Sequence, residues 1–297
     1  MKALIIRPSA LGDTLMLAPG LYQIADKVSV TLLGRKPGID FLQPCLLSSL
    51  DYEKGGWHTL FFKKPYCKDL FLPDVDRVIC FLSDPSGMLN QGLQKCLKHT
   101  PVFLFPPFPQ RGEKIHVAAY LASCLQKAGL PVNPENTIDE AQKRPLLTKD
   151  KPSRSESTIV LHPGSGSKKK NYSPEFWLNI LKNKDFRVNH TWVVLLGPAE
   201  EKWDQIILKK PLEREIEIIH SPHKDTLLSL LKKASLYIGH DSGITHLAAM
   251  LGTRTLCLFK NSDPLQWAPL GPEVTIITHD TPLQVIYTKI RNELSKV

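Results

Sequence analysis

The residues able to do chemistry in this chain collect in loops that follow short apolar runs. His162 to Trp177, reading HPGSGSKKKNYSPEFW, sets Gly164 and Gly166 beside Lys168, Lys169 and Lys170. Glycine lets backbone N–H groups come close to an oxyanion and lysine adds a point charge, so this loop suits a phosphate. For Lys168 and Lys169 the alternative is a solvated charge run ahead of a helix opened by Ser173-Pro174. Gly239-His240-Asp241-Ser242-Gly243 joins the apolar run Leu236 to Ile238 to a helical one, Ile244 to Leu251, closed by Gly252. The first N–H groups and positive dipole end of that helix favour an anion, while Asp241 or Ser242 fits equally the role of helix cap. His246, one turn in, reads from spacing alone as a packed or capping group. In Ser9 to Asp13, Asp13 is either a cap or a general base. An acidic residue in Gly197-Pro198-Ala199-Glu200-Glu201 either accepts hydrogen bonds from a ribose or favours the dipole of the helix that follows.

Strands must place these loops. Lys2 to Arg7, Val28 to Leu33, Arg77 to Leu82 and Val102 to Phe105 are short and apolar, as strands covered on both faces are. A helical pattern runs from Asp13 to Ala25 and another from His116 to Ala128, while Pro37 to Tyr66 reads mainly as loops. Asn133 to Ser157, rich in Pro, Ser, Lys and Glu, reads as a surface connection, dividing the chain into domains at 1–145 and 155–297. Strands then recur at Thr158 to Leu161, Trp192 to Leu196, Glu217 to Ile219, Leu236 to Ile238, Thr255 to Phe259 and Val274 to Ile277. Helices are expected between them at Pro174 to Leu181, Glu200 to Lys210 and Thr226 to Ala234. This alternation predicts an α/β fold of parallel sheets with helices on both faces. A last helix, 282–294, could pack on either domain.

The 297 residues are 42% hydrophobic and 23% charged, enough for two cores. No apolar run approaches the ~20 residues of a membrane span, and the amino terminus enters a strand directly, so a cytoplasmic location is expected. Six scattered cysteines without a CxxC pair read as reduced structural thiols. Net charge of +9 predicts attraction to anions. GxGxxG and GxxxxGK[ST] are both missing, which removes the usual signals of nicotinamide enzymes and P-loop nucleotidases, and no metal-ligand spacing is complete.

Taken together the motifs resemble the heptosyltransferases of glycosyltransferase family 9. The likeness is carried by IIRPSALGDTLMLAP (Ile5 to Pro19), HPGSGSKKKNYSPEFW and LLGPAEE (Leu195 to Glu201), and above all by DSGITHLAAMLGTRTLCLF followed by NSDPLQWAP (Asn261 to Pro269). In place of the family's Trp-Pro after the lysine stands Tyr172-Ser173-Pro174, and the amino-terminal half carries an unusual GGWH at Gly55 to His58. The resemblance implies a GT-B architecture, two Rossmann-like domains with parallel sheets facing across a cleft. The amino-terminal domain would bind acceptor and the carboxyl-terminal one the nucleotide sugar. It implies inverting transfer of heptose from ADP-heptose to a lipopolysaccharide core acceptor of the lipid A/Kdo type, with no cofactor and no metal. Asp13 would be the general base, with Ser9 and Gly12 on the acceptor side. Lys170 would meet the donor phosphates, Glu201 the nucleoside and Asp241 the transferred sugar. Ser242, Gly243 and Thr245 would surround the pyrophosphate, with His246 near and His162, Gly164 and Ser165 in the same donor site. A monomer, peripheral at the inner face of the inner membrane and without a nucleic-acid partner, completes the expectation. The competing reading is a relative that uses another donor or acceptor, or that binds a sugar nucleotide without catalysing.

Overall fold

Runs of Leu, Ile and Val bounded by Gly, Pro and Asp become eleven parallel strands among the described residues, in two sheets. The computed structural model describes residues 1–62, 67, 70, 72–148, 158–183, 186, 190–200, 203 and 216–296. The chain divides into two units, Met1–Glu140 and Ala141–Val297.

In the first unit the strands are β1 (Lys2–Arg7), β2 (Ser29–Gly34), β3 (Ser48–Asp51), β4 (Arg77–Phe81) and β5 (Val102–Phe105), in the order β3-β2-β1-β4-β5. The order reverses between β1 and β4, which pair in parallel from Ala3↔Arg77 to Ile6↔Cys80. Leu4, Ile6, Leu33, Val78 and Cys80 form its core with Leu89 and Leu93 of helix Met88–Cys96. Edge strand β3 falls inside the stretch expected as loops. Its four residues, SSLD, are exposed or half-buried and show no apolar alternation, so only pairing with β2 marks them as a strand. The GGWH stretch is also structural. Gly55 and Gly56 take φ of 76° and 74°, a left-handed conformation that side chains rarely adopt, and turn Trp57 into the core at 2% exposure.

The second unit holds β6 (Thr158–His162), β7 (Thr191–Leu196), β8 (Ile216–His220), β9 (Leu236–His240), β10 (Thr255–Leu258) and β11 (Val274–Ile277), ordered β11-β10-β9-β6-β7-β8. Here the order reverses between β6 and β9, where His162 stands beside Gly239. Both sheets thus have doubly wound, Rossmann-like order, and in such sheets ligands bind beyond the carboxyl ends of the strands at the reversal. Helix Leu283–Leu294 presents Ile286, Ile290 and Leu294 at helical spacing to the core of the second sheet. Each such buried side chain contributes about 1.5–3 kcal/mol, which settles where this helix packs.

Two expectations need correction. Asn133 to Ser157 is not all connection, because Thr137–Lys143 is a helix with Thr137 and Ala141 buried, its small core contact hidden in a polar composition. Nor are the six cysteines all thiols, since Cys67 and Cys96, 29 residues apart, form a disulfide while Cys45, Cys80, Cys124 and Cys257 are buried thiols. Residues 149–157, 201 and 202, and most of the helix expected over Glu200 to Lys210 lie outside the described residues. Among those described, no helix is long and apolar enough to cross a membrane.

Candidate functional site

At the reversal of the second sheet, the carboxyl end of β9 delivers His240 and Asp241, and Ser242 then starts helix Gly243–Met250. Ser242 is the cap, its hydroxyl oxygen accepting from the Thr245 N–H at 3.4 Å. Asp241 is thereby released from capping. It is 3% exposed, and its Oδ2 accepts from Lys170 Nζ at 2.6 Å while its Oδ1 lies 3.3 Å from His246 Nε2. Burial alone would push this carboxyl up, but the hydrogen bonds from His246 and Lys170 outweigh it and hold Asp241 well below the usual carboxylate range. A buried anion, a half-exposed ammonium and a buried imidazole are therefore assembled at one sheet edge from the loops after β6 and β9.

The surroundings fix these groups. Lys170 ends a short 3-10 turn, Lys168–Lys170, and the Ser165 hydroxyl lies 2.6 Å from Asn171 Oδ1 and 2.9 Å from the Ser167 carbonyl, closing the loop across its base. Lys260 donates to the Asn171 carbonyl at 2.8 Å, and the Tyr172 N–H donates to His240 Nε2 at 2.8 Å. Ser173 caps the following helix with Pro174 in its first turn. Thr245 is wholly buried, and its hydroxyl donates to the His240 carbonyl while Tyr237 and Ser242 hydroxyls stand at 3.1 and 3.0 Å. Its side chain braces the turn. What the helix start offers an anion is the backbone N–H groups of its first turn, beginning at Gly243.

Burial pushes His162 down to about 4 and, with His162 as a further contributor, His240 down to about 3, so both rings are neutral at pH 7. Among the described residues, the Nδ1 atoms of His162 and His246 are enclosed without a hydrogen-bond partner. Native interiors leave few polar atoms in that state, so these two rings suit a water or ligand that completes the bonding. Glu200 reaches the same loop from the end of β7. It accepts from the Gly197 N–H at 2.8 Å, and a Cβ added at Gly164 would come within 1.9 Å of its carboxylate, so a side chain there would displace Glu200. Burial raises the Glu200 carboxyl and the Gly197 N–H partly offsets it.

In the first unit, Asp13 is not a cap. Helix Leu11–Leu15 is preceded by Ala10, and Asp13 stands half-buried in its first turn. Ser9 and Gly12 frame that turn, the Ser9 N–H donating to the Arg7 carbonyl at 2.9 Å and the Gly12 carbonyl accepting from Met16 at 3.2 Å. Of the residues singled out from sequence, the structure thus brings His162, Gly164, Ser165, Lys170, Asp241, Ser242, Gly243, Thr245 and His246 to one sheet edge, and Ser9, Gly12 and Asp13 to another. Glu201 lies outside the described residues. Sequence reading missed Arg7, which is fully buried against the Asp13 turn. A charged residue closing an otherwise apolar strand was the available signal. No group of His, Cys, Asp and Glu that could hold a metal occurs among the described residues.

A family model described as glycosyltransferase family 9 (heptosyltransferase) matches residues 102–292. A glycosyltransferase family 9 structure from Veillonella parvula is similar with TM-score 0.75 and 13% identity, over 100% of this chain and 97% of that one. The E. coli ADP-heptose lipopolysaccharide heptosyltransferase II gives 0.69 at 15%, covering 100% and 99%. The E. coli heptosyltransferase WaaC, solved with ADP, gives 0.67 at 13%, covering 99% and 100%. At such identities the likeness is one of fold. No curated protein matches by sequence.

Proposed function

This chain belongs to glycosyltransferase family 9, and from that premise we propose that it transfers a heptose from ADP-heptose to a lipopolysaccharide-core acceptor, with inversion and without a metal. The Lys170–Asp241–His246 array at the reversal of the second sheet is the observation that carries this reading. A sugar diphosphate leaving group needs positive charge, and Lys170 beside the N-terminus of helix Gly243–Met250 supplies it. The Asp241–Lys170 ion pair would open as the donor enters. Lys170 then turns to the diphosphate, while Asp241, still held by His246, accepts hydrogen bonds from sugar hydroxyls. Glu200, already against Gly164 at the end of β7, and the neighbouring Glu201 are the carboxylates suited to a ribose. That WaaC is solved with ADP supports adenine as the base.

Transfer forms a bond from the acceptor oxygen to the anomeric carbon and breaks the bond from that carbon to the diphosphate, which leaves as ADP. The acceptor proton goes to Asp13. General-base assistance of this kind is worth roughly 10²- to 10⁴-fold. Net charge of +9 supports approach to anionic lipid at a membrane face.

The test is an assay of heptose transfer from ADP-heptose to Kdo-lipid A. The wild-type chain is expected to turn over in EDTA, and Asp13→Asn to lose at least ~100-fold in kcat with ADP affinity unchanged. Absence of turnover, or an Asp13→Asn chain as fast as wild type, would overturn the reading.

A further inference from the structure

Arg7 is the last residue of β1, a position where an apolar side chain would satisfy the sheet, yet it carries a guanidinium with no exposure to solvent. Burying a permanent charge is costly, and a well-packed hydrophobic residue in its place is often as stable or more so. Something other than packing selects it. Its Nε donates to the Asp13 carbonyl at 3.0 Å and its Nη1 to the Pro107 carbonyl at 2.8 Å, and the group lies 5.5 Å from the Phe81 ring and 5.4 Å from that of Phe108. Both carbonyls belong to segments beyond the carboxyl edge of the first sheet, one after β1 and one after β5. The Tyr120 hydroxyl fixes the second of these by donating to the Pro106 carbonyl at 2.8 Å. Nη2 is enclosed and has no hydrogen-bond partner among the described residues.

We propose that Arg7 is a positioning residue for Asp13: its Nε, 3.0 Å from the Asp13 carbonyl, pins the backbone of the turn that carries the carboxylate and sets a fixed positive charge beside that residue. This rests on the reading of Asp13 as the general base and adds the device that keeps that base ionised and aimed. The titratable groups facing Arg7 are Asp13 from helix Leu11–Leu15 and Tyr120 and Cys124 from helix Val117–Lys127. Burial raises both Tyr120 and Cys124, which stay protonated at neutral pH. Asp13 is therefore the anion that this cation serves. Arginine suits the task because its planar fork reaches two carbonyls from one end and cannot lose its charge near pH 7, whereas lysine offers a single point.

The test compares the full-length wild-type chain with Arg7→Lys and Arg7→Met. With aspartate labelled at its carboxyl carbon, the Asp13 signal is assigned by its loss in Asp13→Asn and followed by NMR against pH, a readout that needs no activity. Arg7→Met is expected to raise the Asp13 titration midpoint by about one pH unit or more, and Arg7→Lys to restore part of the shift. The acid limb of the kcat/KM profile should move upward with it, while ADP affinity, a property of the other unit, stays within twofold. A midpoint unmoved in Arg7→Met would overturn the proposal, since a merely structural arginine predicts that result. If Arg7→Met does not fold, Arg7→Lys decides: a kcat at least tenfold lower with ADP affinity unchanged supports positioning, and a wild-type kcat refutes it. A wild-type chain without transfer activity would sink the transferase reading instead, and the Asp13 titration would still decide the role of Arg7.

Discussion

At the residue scale, one buried carboxylate organises the loops at the reversal of the second sheet. Asp241 gives its two oxygens to Lys170 and His246, and the cap role it could have filled falls to Ser242. Around it, His162 is buried as a neutral ring, which makes stability depend on acid. Its folded pKa is about 4, below the ~6.5 of an exposed histidine. Between those values the unfolded chain binds a proton that the folded chain refuses, so stability is full above about pH 6.5 and falls as pH drops toward 4. His240, lowered to about 3 by burial and by His162, adds in the same direction. Urea midpoints at pH 7 and pH 5 are expected to separate in the wild-type chain and to separate less in His162→Gln. Equal separation in both would show that His162 contributes nothing to the acid sensitivity.

At the scale of elements, the turn after β9 is built by the cap and by the hydroxyls of Thr245 and Tyr237 beneath it. Ser242→Ala removes the cap and should lower unfolding stability by ~1 kcal/mol, read as a shift of the urea midpoint at unchanged slope. An unshifted midpoint would mean that Thr245 and Tyr237 hold the turn without it. Strands with strong apolar runs, such as LYIGH and TWVVLL, were legible in the sequence because burial on both faces demands such composition. So was the strand–loop–helix that carries Asp241. SSLD was not, since an edge strand half open to solvent needs no apolar pattern. Helix Met88–Cys96 was also missed, as its contact with the core rests on Leu89, Gly92 and Leu93 alone. The Lys170–Asp241 pair joins residues 71 apart and becomes visible only once β6 and β9 are neighbours. Arg7 escaped for a similar reason, because its acceptors are backbone carbonyls, which no side-chain motif records.

At the scale of the whole molecule there are two doubly wound sheets, with Asp13 on the turn after β1 in the first and the Lys170–Asp241–His246 array at the strand reversal in the second. The Cys67–Cys96 bond staples the first unit and sets it apart from a chain of reduced thiols, the pattern usual in a reducing compartment. Family membership joins the parts into a glycosyltransferase. Everything in the proposed donor binding depends on Lys170 leaving Asp241 for a diphosphate. The direct measurement is calorimetric titration of ADP into the full-length wild-type chain and into Lys170→Ala. Saturable binding at one site, weakened at least tenfold (about 1.4 kcal/mol) in Lys170→Ala, is the predicted result. Equal affinity in the two chains, or no binding of ADP to either, would contradict the account.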